Sequence, residues 1–316
     1  MTKKVVLIGF GRIAQIYPKV IEKFPDLTLN AVVDTDPESL KAAENMGLKT
    51  FSSIAKLFDK TSVDLGIVCT PPSYHFEQGK ILLENNVHCL IEKPLALTAK
   101  KARLLSEIAG NEKLVLSVSS KFKHTPGLIE VATRIKQGEI GELIHIENTF
   151  SGTLCPNECW RSQKTTSGGG VWMDNGPHSL DVLKLLGGSL DSIRMVTLEH
   201  QQKTEVEDEV SVRFRHQNGV ESHVFLSWNG TLQNPLVLCR GTEGEIRLGW
   251  NELEIKKGSK ISREAFAYNK EEVFYAVVEA FLNCIEKNET EEALWENNGW
   301  IEAGYKSFGE NTWKRL

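Results

Sequence analysis

From Lys4 to about Ser120 the chain alternates short apolar runs (KVVLIG, LTLNAVVD, VDLGIVCT, VHCLIEK, KLVLSVS) with longer segments of helical period. A strand that is apolar at nearly every position has no side to show water, so both faces must be covered. Helices between successive parallel strands do this, which predicts a doubly wound parallel sheet. After Pro126 the rhythm changes. One helical segment (127–137) precedes the alternating run ELIHIENTF, and later come EVSVRFRHQNGVESHVFLSW and IRLGWNELEIKK. Alternation predicts a mostly antiparallel open sheet with one covered face, and Asn218-Gly219 sits where a type I′ hairpin turn would. EEVFYAVVEAFLNCIEK (271–287) and the tail from about Glu291 to Phe308 return to helical spacing, as covers for that sheet or its neighbour. The expectation is an α/β chain, since 316 residues are long for one core. A doubly wound domain spans 1–121, and an α+β domain for substrate and oligomerisation spans 122–316.

The formal charge of −5 leaves no basic footprint for nucleic acid. No apolar run reaches the roughly 20 residues that span a bilayer. The N-terminus MTKKVVLIG passes directly into a strand too short for a secretory signal core, so a cytoplasmic protein is expected. Six cysteines are scattered over both halves, several within apolar runs. Cys155 and Cys159 could suggest a metal clip, but no second Cys or His pair stands at zinc-like spacing, and no metal is expected.

GFGRIA, Gly9 to Ala14, follows the first strand directly and opens the first helix. In such a loop the first glycine permits a tight turn, the second a close approach of backbone to a pyrophosphate, and a small third residue close helix packing. Gly9, Phe10, Gly11, Arg12 and Ile13 are therefore the phosphate-binding candidates. Asp34, about 20 residues past Ala14 at the end of the second run, is placed to bind ribose hydroxyls. Its charge would repel a 2′-phosphate, and no Lys or Arg follows until Lys41, so NAD is expected in preference to NADP.

Open α/β sheets bind ligands outside the carboxyl ends of their strands. CTPPSYH (69–75) and EKP (92–94) stand at two such ends, and Lys93 could hold a substrate oxygen there. In GGGVWMDNGPHSLD (168–181), Asp174, His178 and Asp181 share one face of a helix that starts near Asp174, with Gly187-Gly188 as its stop. Oxidising a secondary alcohol also releases a hydroxyl proton, which a group titrating near neutrality handles best, and a histidine in a first helical turn is kept neutral for that task. Asp174 could orient the ring or relay the proton. Asp181 reads as an orienting or substrate-binding residue, and the three glycines as backbone yielding to cofactor or substrate while turning the chain into the helix.

These motifs, with WR at Trp160-Arg161, occur in the order and approximate spacing of the glucose-fructose oxidoreductase / inositol dehydrogenase / rhizopine catabolism (Gfo/Idh/MocA) family, which the whole chain resembles. The resemblance implies an N-terminal Rossmann domain and a C-terminal domain whose open sheet often forms a homodimer or homotetramer. It also implies NAD(P)-dependent oxidation or reduction of sugars, cyclitols or related polyols. By position it makes Lys93 the catalytic lysine and Asp174 and His178 the acid-histidine pair, with Lys93, Lys121, Asp174 and His178 facing substrate. Thr70, Pro71, His75, Glu92, Lys93, Trp160 and Arg161 fall on cofactor-lining positions. Lys121 stands where many members carry arginine. Two other functions fit the fold: a glycosidase that oxidises its substrate transiently with retained NAD, and a cofactor-binding regulator, which need not keep the proton-transfer residues present here. The substrate is expected to be neutral, because the loops 152–167 and 124–128 carry no dense cationic cluster.

Overall fold

The computed structural model describes residues 2–154, 160–230, 235–289 and 293–316; Cys155 and Cys159 lie outside them. Strand β1 (Lys3–Ile8) leads through a 3-10 turn (Ala14–Ile16) into the short helix α1 (Tyr17–Ile21). There follow β2 (Leu27–Val33), α2 (Pro37–Asn45), β3 (Lys49–Phe51), α3 (Ile54–Phe58), β4 (Leu65–Val68), α4 (Pro72–Glu84), β5 (His88–Ile91), α5 (Ala99–Asn111) and β6 (Leu116–Val118). The six strands are parallel in the order β3-β2-β1-β4-β5-β6, so the strand order reverses between β1 and β4. The three-residue β3 is too short to show as a pattern, which is why the sequence predicts only five strands.

The second part begins with α6 (Pro126–Lys136), β7 (Leu143–Ser151), α7 (Lys164–Ser167) and α8 (Val171–Gly187). It continues with β8 (Leu190–Glu199), β9 (Glu209–His216), β10 (Glu221–Ser227), β11 (Val237–Gly241), β12 (Glu245–Leu248), β13 (Glu252–Lys257) and β14 (Lys260–Ala265). These eight strands form one sheet, antiparallel except where β7 and β10 run parallel. The β9-β10 hairpin stands as expected, but its tip is not the mirror-image turn, which needs two positive φ angles. Only Gly219 of the pair is left-handed, at φ +88°.

The chain then turns back. Helix α9 (Lys270–Lys287) belongs to the first compact unit (Met1–Ser119 with Lys270–Glu296). Helix α10 (Glu296–Gly309) lies almost wholly in the second unit (Ser120–Asn269 with Asn297–Leu316). A single boundary at 121 therefore needs correction. The reason lies in the doubly wound sheet: α3, α4 and α5 pack on the face that shows Val6, Ile8, Val68 and Ile91. On the opposite face α1 and α2 reach Val5, Leu7 and Val32, but Leu65, Ile67 and Leu90 need a further cover. Phe274, Val277, Val278 and Phe281 of α9 supply it, all at most 3% exposed. Each such side chain contributes roughly 1.5–3 kcal/mol on leaving water.

In the second unit α8 lies on the covered face of the sheet, burying Trp172, Leu180 and Leu183 with Val212, Phe214 and Val224, and α10 adds Trp300 and Ile301. Among the described residues no helix is long and apolar enough to cross a membrane.

Candidate active site

In the first unit the predicted residues gather at the carboxyl edge of the parallel sheet. Gly9 has φ +85°, and a Cβ there would meet Thr70 Cγ2 at 2.8 Å and Thr70 N at 3.0 Å, so only glycine fits between the loops after β1 and β4. At Gly11 nothing lies within 4 Å of a Cβ, so this backbone borders open space of the kind a pyrophosphate needs. Phe10 and Ala14 are buried, Gly11 and Arg12 exposed, and Ile13 half-buried. The expected long first helix is replaced by the 3-10 turn and α1, with Pro18 in the first turn.

Asp34 Oδ2 accepts the Phe10 N–H at 2.6 Å and Oδ1 accepts the Asp36 N–H at 2.9 Å. The acid is thereby fixed against the glycine loop. Two carboxylate oxygens offer about four acceptor sites, so capacity remains for ribose hydroxyls.

His75 is 1% exposed, with Nδ1 2.8 Å from Pro94 O and Nε2 2.7 Å from Thr70 O. Burial pushes its pKa below the usual histidine value, although both carbonyls oppose the shift. The ring stands between the loops after β4 and β5, donates its one N–H to one of the two carbonyls when neutral, and turns both nitrogens to main chain rather than to open space. Thr70 Oγ1 donates to Gln78 Oε1 at 2.6 Å, and Pro71 caps α4. Glu92 is 8% exposed; its N–H bonds Val68 O, and its Oε2 accepts the Lys93 N–H at 3.3 Å.

The second unit carries the acid-histidine pair. Helix α8 starts at Val171, earlier than expected, so Asp174 is no N-cap and His178 stands beyond the first turn. The helix-dipole argument for a neutral ring therefore does not apply. Pro177 also lies inside the helix. Asp174 and His178 still share one face, about 6 Å apart along the axis. Asp174 Oδ2 pairs with Arg161 Nε at 3.6 Å, and the Arg161 guanidinium covers Trp160 at 4.3 Å. His178 is 8% exposed, its ring 4.8 Å from Phe122 and 6.3 Å from Phe150. Lys121 Nζ lies 5.0 Å from the Phe122 ring. One patch of this unit thus brings together Lys121, Trp160, Arg161, Asp174 and His178.

Of the two reasons expected for the glycines before α8, the turn stands at Gly168, and Gly169 and Gly170 add a further one. A Cβ on Gly170 would stand 1.7 Å from Glu207 O, and one on Gly169 2.2 Å from the Tyr305 hydroxyl. Their close neighbours are thus protein atoms of the same unit. Gly168 makes the turn at φ +82°. Glu207, 4% exposed, accepts at Oε1 from the Trp172 N–H (3.0 Å) and the Tyr305 hydroxyl (2.7 Å), which satisfies a donor at the start of α8. Asp181 accepts from Asn297 Nδ2 at 2.8 Å and so ties α8 to the residues that open α10. Sequence reading missed Phe122, Phe150 and Glu207, because each reaches this helix from a distant segment.

The family model of the Gfo/Idh/MocA oxidoreductases, NAD-binding Rossmann fold, matches residues 3–120, and that of the Gfo/Idh/MocA C-terminal domain matches residues 128–247. The chain is 29% identical over 181 residues to the uncharacterized oxidoreductase YdgJ of Escherichia coli strain K12, covering 56% of this chain but only 51% of that protein. To inositol 2-dehydrogenase of Rhizobium meliloti strain 1021 it is 23% identical over 303 residues, covering 91% of this chain and 90% of that protein. A solved structure of levoglucosan dehydrogenase with NADH and L-sorbose superimposes with a TM-score of 0.89 at 20% identity, covering 100% of this chain and 99% of that one. That likeness is one of fold.

Proposed function

The chain belongs to the Gfo/Idh/MocA oxidoreductases, and from this we propose that it moves a hydride between nicotinamide and a secondary alcohol or ketone carbon of a neutral sugar, cyclitol or related polyol. The observation that carries the reading is the carboxyl edge of the first sheet. There a glycine whose Cβ position is filled by Thr70, a carboxylate fixed against the glycine loop, and the Glu92-Lys93 turn lie together. The open space before Gly11 and the remaining acceptor sites of Asp34 fit a dinucleotide. Gly9 to Ile13 and Asp34 would hold it, with Thr70, Pro71 and Glu92 along the same edge. Bound NAD supplies the hydride acceptor, or NADH the donor.

The chain's own groups handle the oxygen and its proton. The Lys93 ammonium polarises the substrate oxygen. His178 takes the hydroxyl proton at an imidazole nitrogen during oxidation and returns it during reduction. Asp174, held by Arg161, orients that proton transfer, and Lys121 contacts substrate hydroxyls. NAD is preferred over NADP because the Asp34 charge would face a 2′-phosphate. The test is a screen of inositols, free sugars and amino sugars with both cofactors, followed by Lys93→Met and His178→Ala on the best substrate. Near-native rates in both variants would defeat the assignment.

A further inference from the structure

Glu92 is the only carboxylate of the first unit, among the described residues, that is less than a tenth exposed. Burying such a group costs stability, and an apolar side chain of similar size is often more stable in its place. A fold that carries it is using the charge. Two hydroxyls from distant segments close on one of its oxygens. Ser119, 1% exposed and just past β6, donates to Glu92 Oε1 at 2.9 Å. Tyr17, fully buried on α1, lies 3.1 Å from Ser119 Oγ and 3.4 Å from Glu92 Oε1.

The hydrogens can be assigned by counting. Ser119 has one O–H and spends it on the carboxylate, so its lone pairs accept from Tyr17. Tyr17 also has one, shared between Ser119 Oγ and Glu92 Oε1. Burial, then the Glu92 charge and Cys69, hold the Tyr17 phenol well above its usual pKa, so it stays a donor. With Oε1 taken from below, Oε2 is turned to the Lys93 N–H. The tyrosine is itself held by the returning helix, since Phe274 of α9 packs edge-on against its ring at 5.4 Å.

We propose that Tyr17 and Ser119 are positioning residues of the cofactor site, which together anchor Glu92 Oε1 and so fix the turn that carries Lys93. This rests on the reading that Glu92 lines the cofactor and Lys93 holds the substrate oxygen beside it. The linkage gives α9 a task beyond covering the sheet, because it steadies a ring whose hydroxyl ends on the site.

The test is a double-mutant cycle on the full chain, read by NADH fluorescence titration with thermal melts as the folding control. Tyr17→Phe and Ser119→Ala are each expected to raise the NADH dissociation constant about three- to tenfold, with Glu92→Ala at least as damaging. In the Glu92→Ala background Tyr17→Phe should add less than about twofold, because the hydroxyl then has nothing to hold. An equal loss with and without Glu92 would make Tyr17 merely structural and overturn the proposal. So would wild-type affinity in Glu92→Ala, or in both hydroxyl variants. If Tyr17→Phe does not fold, Ser119→Ala with Glu92→Ala completes the same cycle. A wild type that binds NADH but oxidises no polyol defeats the catalytic reading alone, and the cycle still decides this one.

Discussion

The two units hold their candidate residues by different means. In the first, the residues stand on loops at the ends of adjacent strands, and backbone groups do much of the fixing: Gly9 against Thr70, Phe10 N–H on Asp34, and His75 between two carbonyls, one of which takes its N–H. In the second, they stand along a helix, and side chains from far away set their surroundings, with Phe122, Phe150 and Arg161 around His178 and Asp174. Strand-end loops gather residues as distant in sequence as Gly9 and Thr70 through main-chain contacts. A helix face recruits its neighbours from the whole unit.

The strongest test of that contrast removes one reacting group from each side. Lys93→Met and His178→Ala should each cut turnover by about 10²–10⁴-fold while leaving NADH affinity within a few-fold of wild type. If only one does so, the proposed chemistry belongs to a single unit. Next in size is packing. Phe274→Ala should destabilise the first unit by roughly 3–5 kcal/mol, as for other large core truncations, and calorimetry should show that transition moving away from the second unit's. A single transition shifted as a whole would mean the units melt together. Smaller again, Asp34→Ala should weaken NAD binding by about tenfold and narrow the preference over NADP, since it removes an anchor for the ribose and a repulsion at once. Unchanged selectivity between the cofactors would sink that role.

The smallest effect concerns pH. His75 in the first unit and His216 in the second are both buried, with pKa values pushed down by burial. The folded rings resist a proton that the unfolded chain accepts near 6.5. Stability is therefore full above about 6.5 and falls as the pH drops from there toward the folded values, by at most about 1.4 kcal/mol per histidine per pH unit. Melting curves at pH 7.5 and 5.5 should show the fall, and His216→Gln should flatten it. An unchanged slope in that variant would exclude His216 as a source.

Much of this was legible in the sequence where one local pattern carries one physical demand. Strands buried on both faces leave unbroken apolar runs, so the parallel sheet could be read directly, as could the glycine loop and Asp34. The helix start was misjudged because Asp174 resembles a cap, while the donors at the true start are met by Glu207, 35 residues further along at the Trp172 contact. The returning helix stayed open between the two sheets because periodicity reveals that Phe274 and Phe281 face something apolar, without saying which sheet. Tyr17, Ser119 and Glu92 meet from three separate stretches, and no spacing rule links them.

That return has a consequence for biosynthesis. As the chain leaves the ribosome, the first sheet can form early, yet the side of it bearing Leu65, Ile67 and Leu90 stays uncovered until α9 emerges, after every strand of the second sheet has been made. A nascent chain stalled before Lys270 would display that greasy surface to chaperones and to its neighbours on the same message.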